Sequence, residues 1–180
     1  LRWLLDAMGV VVSETYTSTS APIQHAAVTA FEGGEDIDHY LVSSRRVLSA
    51  LERLCARKLR SVEIDCPQPV GGFYLFADFT RYAEALAARG IRTSRQLCAL
   101  LLEETGVAIL PGSEFGRPEE ELTARLAYVD FDGERALDAV AVIPKEQPLD
   151  ETFLKRHCPR VVEAIRALCA WIEALAAPAH

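Results

Sequence analysis

Apolar residues at positions 37, 40, 41, 47, 48, 51, 54, 55 and 59 keep to one face of a helix for more than twenty residues. A stripe that long cannot be buried by the helix itself. The rest of the chain must supply a layer against it, or the helix must act as a strut between two regions. A second stripe closes the chain, through Val161, Val162, Ile165, Leu168, Cys169, Ile172 and Leu175. Between the two, the hydrophobic period shortens from that of a helix to that of a strand. "SVEIDC" (61–66) and "FYLFADF" (73–79) read as strands joined through the turn "PQPVGG". Residues 81–89 read as a helix stopped by Gly90. Thr93 and Gln96 form a capping-box pattern for a helix ending at Gly106. "VAIL" (107–110) reads as a third strand, "PGSEFGRPEEE" as a long turn, and "LTARLAYV" (122–129) as a fourth strand. This order predicts an α+β layer: a small, mostly antiparallel sheet covered by helices, with a long amphipathic linking helix.

The N-terminal part is less regular. Residues 1–12 read as a helix end or a strand, starting inside an apolar pattern with no cap, as a piece of a longer protein would. "SETYTSTSAP" is a hydroxyl-rich loop, and residues 23–31 form a short apolar helix with Pro22 in its first turn. A net charge of −7 with dispersed acidic groups argues against nucleic acid or an anionic membrane as partner. No apolar run has transmembrane length, and Asp6 interrupts the only stretch that could open a signal peptide. Cys55, Cys66, Cys98, Cys158 and Cys169 are odd in number and widely spaced. They predict buried, reduced thiols of a cytoplasmic protein, with no metal site.

Arg125 stands out, a permanent cation in the apolar run "TARLAYV". Alternation places Arg125, Ala127 and Val129 on one face of the strand, and Ala124, Leu126 and Tyr128 on the other. One reading is an edge arginine paired with a surface carboxylate, such as one of Glu119, Glu120 or Glu121. The other is an anion clamp, because a guanidinium meets a carboxylate with two parallel charge-assisted hydrogen bonds. Asp132 reads as a helix cap. His25, His39, His157 and His180 are scattered and carry no catalytic expectation.

Taken in order, "STSAPIQHAAVTAF", the long helix with Arg45 and Arg46, "PVGGFYLFADF", "LLEETGVAILPGSEFG" and "RLAYVDFD" resemble the C-terminal part of aspartate-aminotransferase-like proteins. These are class I and II, fold-type I, pyridoxal-phosphate-dependent aminotransferases of α/β fold. The resemblance implies that Arg125 binds the α-carboxylate of the amino acid substrate. It implies that Pro111, Gly112 and Phe115 belong to a wall of the active site. It divides the chain into residues 1–35, a remnant of the large cofactor-binding domain and the interdomain segment, and residues 36–180, the C-terminal small domain. Amino acid metabolism, an amino acid and a 2-oxo acid as substrates, a homodimer and a cytoplasmic location follow as expectations.

The chain also departs from the family. Ala127 stands where serine is usual. Its lysines, Lys58, Lys145 and Lys155, match no Schiff-base motif. The resemblance therefore implies no catalytic residue in this chain and assigns none to the cofactor. Pyridoxal phosphate belongs to the intact relative, with none expected on this chain alone. Whether these 180 residues are an enzyme by themselves stays open. Two alternatives share the same residues: another enzyme of the fold, such as a lyase or a decarboxylase, and an aminotransferase-like effector or interaction domain without catalysis.

Overall fold

A computed structural model describes residues 1–16 and 18–176, leaving Thr17 of the hydroxyl-rich loop and His180 outside the described residues. The chain divides into two compact units, Leu1–Leu41 and Val42–His180. In the first, α1 (Arg2–Thr15) is a helix throughout, resolving the choice between helix and strand. Helix α2 (Ala21–Glu32) carries its proline in the first turn, as expected. Neither helix buries a residue, and Trp3, Leu5, Val10 and Phe31 stand exposed.

The long helix is α3 (Glu35–Ser61). Acidic Glu35, Asp36 and Asp38 open it, and Lys58 and Arg60 close it, each complementing the helix dipole. Beyond Ser61 the predicted strand 61–66 does not form. The Ile64 amide donates to the Leu59 carbonyl and the Glu63 amide to the Arg60 carbonyl, with Glu63 at φ 55°. This is a Schellman ending, and it uses up the residues that read as a strand. Only Asp65 still bridges to Asp78. A Gly at the left-handed position would have marked this ending in the sequence, but the residue there is Glu63, held by an ion pair with Arg81.

The sheet has three strands in the order β1-β3-β2: β1 (Tyr74–Asp78), β2 (Leu110–Pro111) and β3 (Thr123–Ala127), all antiparallel. The predicted strand 107–110 thus shortens to two paired residues. Residues 106–109 splay away from β3, and a cleft of about 450 Å³ opens between them, β3 and the C-terminal helix. One face of the sheet is buried: Leu75 and Ala77 from β1, Ala124 and Leu126 from β3, then Tyr128. Cys55 of α3 and Leu168 of the C-terminal helix line the same cleft as Leu75 and Leu126, so helices cover this face.

Helix boundaries follow local chemistry. The predicted helix 81–89 begins as a 3₁₀ turn, Thr80–Tyr82, before α4 (Ala83–Ala88), and ends in a Schellman pair at Gly90, φ 80°. Thr93 caps α5 (Ser94–Thr105) by accepting from the Gln96 amide. The Gln96 side chain accepts in return from Arg92, one residue before the position a capping box would use. Asp132 caps α6 (Gly133–Ala141), as expected, and Asp150 caps α7 (Glu151–His157). Pro159 breaks the run at Cys158 and opens the final helix, α8 (Pro159–Ala176), so Lys155 lies in α7.

Arg46 of α3 ties α6 down. Its guanidinium donates to the carbonyls of Val140, Ile143, Pro144 and Gln147, at 3.4, 3.0, 2.8 and 2.9 Å. The Val140 carbonyl also accepts from the Ile143 amide, and that of Pro144 from Gln147, so the guanidinium adds a second donor where α6 ends and its following turn begins. Arg46→Ala is expected to lower stability by about 2–3 kcal/mol, the range for losing charge-assisted bonds to carbonyls. Arg46→Lys should recover only part, since one ammonium cannot span four acceptors. A urea titration of the three chains checks both.

Candidate functional site

The uncovered face of the sheet carries Tyr74 and Phe76 from β1, Leu110 from β2 and Arg125 from β3. The register sets Arg125 opposite Phe76 on one side and Leu110 on the other. Arg125 therefore lies on the central strand, which corrects the reading of it as an edge arginine. Alternation holds as expected: Leu126 and Tyr128 are buried, while Ala127 and Val129 face outward.

Aromatic rings hold the guanidinium. Its carbon lies 4.1 Å from the centre of the Tyr74 ring and 4.3 Å from that of Phe115. Phe76 meets Phe115 edge to face, with centroids 6.2 Å apart. Two such ring contacts favour a cation by roughly 1–2 kcal/mol together, and they leave the guanidinium edge free for an anion. Among the described residues no carboxylate pairs with Arg125. Glu114 and Glu119 are taken by Arg95, and Glu121 by Arg117. The surface pairing that the sequence left open therefore does not form.

The turn after β2 delivers Phe115. Pro111 faces Ala124 in the sheet register, and residues Gly112–Phe115 form a 3₁₀ turn ended by Gly116 at φ 77°. Gly112 packs so closely on β3 that a Cβ there would overlap Thr123 Oγ1. Ser94 donates to Ser113 at 3.2 Å, and its amide to the Glu119 carbonyl at 2.9 Å, anchoring the turn to α5. Pro111, Gly112 and Phe115 are thus adjacent to Arg125 or to its strand, and Phe115 touches it. Tyr74 and Phe76 were missed in the sequence. The signal was present, since alternation in "FYLFADF" puts both on one face. Which face met Arg125 depended on the register.

The other candidates lie elsewhere. Lys58 ends α3, Lys145 follows α6, and Lys155 pairs with Glu151 at 3.0 Å. Among the described residues no lysine stands on the Arg125 face, so these residues do not fit the attachment of a carbonyl cofactor. His25 and His39 lie in α2 and α3. His157 stacks on Phe153, and burial, then Arg156 and Arg135, push its pKa below the usual imidazole range. All five cysteines are buried and unbridged. Burial raises the Cys55 and Cys98 thiols to about 12 and those of Cys158 and Cys169 to about 11, which keeps them protonated and unreactive. No helix among the described residues is long and apolar enough to cross a membrane.

Comparison with known proteins accords with this architecture. The family profile described as Aminotransferase class I and II matches residues 2–132. An aspartate aminotransferase of Rhizobium meliloti is 34% identical over 118 residues, which are 64% of this chain and 28% of the relative. One from Geobacillus stearothermophilus is 32% identical over 126 residues, 69% of this chain and 30% of the relative. The crystal structure of the Rhizobium meliloti aspartate aminotransferase superposes with a TM-score of 0.59 at 27% identity, covering 96% of this chain and 36% of that one. The chain thus spans under a third of the length of the curated relatives it matches. The profile match, running through α1, the long helix, the sheet and the Arg125 strand, places the chain in the class I and II aminotransferase family.

Proposed function

We propose that these residues are the substrate-side portion of a pyridoxal-phosphate-dependent amino acid aminotransferase, with Arg125 binding the α-carboxylate of the amino acid or 2-oxo acid. The observation that supports this most is the state of Arg125: ringed by Tyr74 and Phe115, open on one sheet face, and paired with no carboxylate among the described residues. A bidentate carboxylate would complete it. Phe115 and Phe76 then limit how the bound molecule can turn and keep water from the clamp, which orients the α-carbon relative to groups contributed by the rest of the protein. The cofactor would act as the electron sink for that carbon.

On this reading residues 1–35 belong to the larger cofactor-binding part, and the exposed apolar side chains of α1 and α2 rest on it. The complete enzyme works as a homodimer. The isolated chain holds the clamp and lacks the lysine that would carry the cofactor. Incubated with pyridoxal phosphate and an amino donor, then reduced with borohydride, it is expected to show neither turnover nor a stoichiometric adduct by mass spectrometry. One adduct at a single lysine, together with transamination, would refute the incompleteness.

A further inference from the structure

On the opposite side of the sheet from Arg125, a cleft of about 410 Å³ lies between α3 and the loop that leads into β1. Arg45, Ser49 and Glu52 share one face of α3 and line it, at i, i+4 and i+7. Val70 and Gly72 of the loop form the facing wall, and Tyr128 closes the end. The size is that of a cavity for a small molecule, with few polar groups converging on an otherwise apolar lining.

Glu52 is the unusual member. It is only 9% exposed, in a helix face otherwise buried by Ala50, Leu51, Leu54 and Cys55. A buried carboxylate without a cation is costly. Its Oε1 accepts from Gln68 Nε2 at 2.6 Å, and Gln68 Oε1 accepts in turn from Arg60 at 3.0 Å. Gln68 is neutral, so the amide positions the charge without cancelling it. Oε2 has no partner among the described residues. It is also not sealed away, because Thr123 Oγ1 is the one side-chain polar atom among them that is both sealed and unpartnered. Oε2 therefore opens on the cleft. Tyr128 is a neutral neighbour: burial, then Glu52, raises its phenol to about 12, and its hydroxyl donates to the Gly72 carbonyl at 3.3 Å.

At the rim, Arg45 is exposed and pairs with no carboxylate among the described residues. Seven residues separate it from Glu52, about 10 Å along the helix axis, and the two do not pair directly. The long Arg45 side chain can lie along the helix toward Glu52, so an ammonium and a carboxylate on neighbouring carbons fit between the two charged groups. Its cation would neutralise Glu52 and its anion would meet the Arg45 fork, while Leu48, Pro69 and Val70 would receive an aliphatic chain.

We propose that the cleft between α3 and residues 69–72 binds a small zwitterion, an aliphatic α-amino acid, with its ammonium on Glu52 and its carboxylate on Arg45. This site stands apart from the Arg125 reading and does not depend on it.

The test is a titration of the isotope-labelled 180-residue chain with L-norleucine, hexylamine and hexanoate, read by amide shifts. Norleucine should produce saturable shifts at Ser49, Gly71, Gly72 and Tyr128 at millimolar concentration. Hexylamine should bind more weakly at the same amides, and hexanoate should leave them unmoved. Glu52→Gln, which keeps the shape and the Gln68 contact, should weaken norleucine at least about tenfold. Arg45→Ala, at the solvated rim, should weaken it about threefold. Ser49→Trp, on an exposed position, should abolish binding by filling the cleft, and it serves if the Glu52 variant does not fold. Arg125→Ala should change nothing at these amides. Absence of saturation overturns the proposal. So do shifts confined to residues around Arg125, or a norleucine affinity unchanged in the Glu52, Arg45 and Ser49 variants.

Discussion

If the chain is the substrate side of an aminotransferase, as proposed, Arg125→Ala in the intact protein is expected to lower kcat/KM for amino acid substrates by about a hundredfold or more. The substitution removes both arms of the fork and leaves the substrate carboxylate unpaired against Tyr74, Phe76 and Phe115, which offer it no second cation. A lost charge-assisted pair in such a place costs about 2–4 kcal/mol. Arg125→Lys keeps a charge, but an ammonium is not planar and cannot stack between two rings while meeting both carboxylate oxygens. It should therefore recover only a small part of the loss. Phe115→Ala is the finer probe. It leaves the guanidinium in place and removes one of its two rings, so it should raise KM severalfold with a smaller effect on kcat. Cofactor affinity should stay near that of the parent in all three. Near-normal kcat/KM in the alanine variant, or loss of cofactor in its place, would make Arg125 a structural arginine held by its rings.

Gly112→Ala is expected to destabilise the chain by about 2–4 kcal/mol, well beyond the usual cost of a surface change. The added Cβ would overlap Thr123 Oγ1 and lie 3.2 Å from the Thr123 carbonyl oxygen, so either the turn or β3 must move. Because Phe115 rides on this turn and Arg125 on this strand, the displacement should also loosen the ring contact on the guanidinium. Thr123 Oγ1 is buried without a partner, so its removal alone should cost little. The double variant Gly112→Ala/Thr123→Ala should accordingly recover at least about 1 kcal/mol relative to the sum of the single changes, the coupling expected of residues in contact. Thermal or urea unfolding of the four chains measures it. Additive single effects would show that the turn yields without pressing on β3.

The long helix, the capped helices at Thr93 and Asp132, the strand at 74–78 and the strand carrying Arg125 were legible in the amino-acid sequence. Each rests on short-range chemistry: period, cap and side-chain alternation within a few residues. The same is true of which neighbours share a face with Arg125 along its own strand. Whether that arginine was central or at an edge, and what it touched, depended on strand order and register, which bring together residues 74, 115 and 125. The two strands misjudged at 61–66 and 107–110 failed for tertiary reasons. In the first, Glu63 took a left-handed helix ending that its residue type does not advertise, stabilised by the Arg81 ion pair. In the second, apolar residues of strand character lacked a partner, since β3 pairs with β2 only at Leu110 and Pro111. The carboxylate of Glu52 read as an ordinary helical residue and became a buried, half-partnered charge only when the loop before β1 folded over it. Local pattern determined the helices, the strands at 74–78 and 123–127, and the charge-bearing residues. Long-range pairing alone decided which charges lost their water and which were left waiting for a counter-ion, because desolvation depends on what the rest of the chain brings against a group.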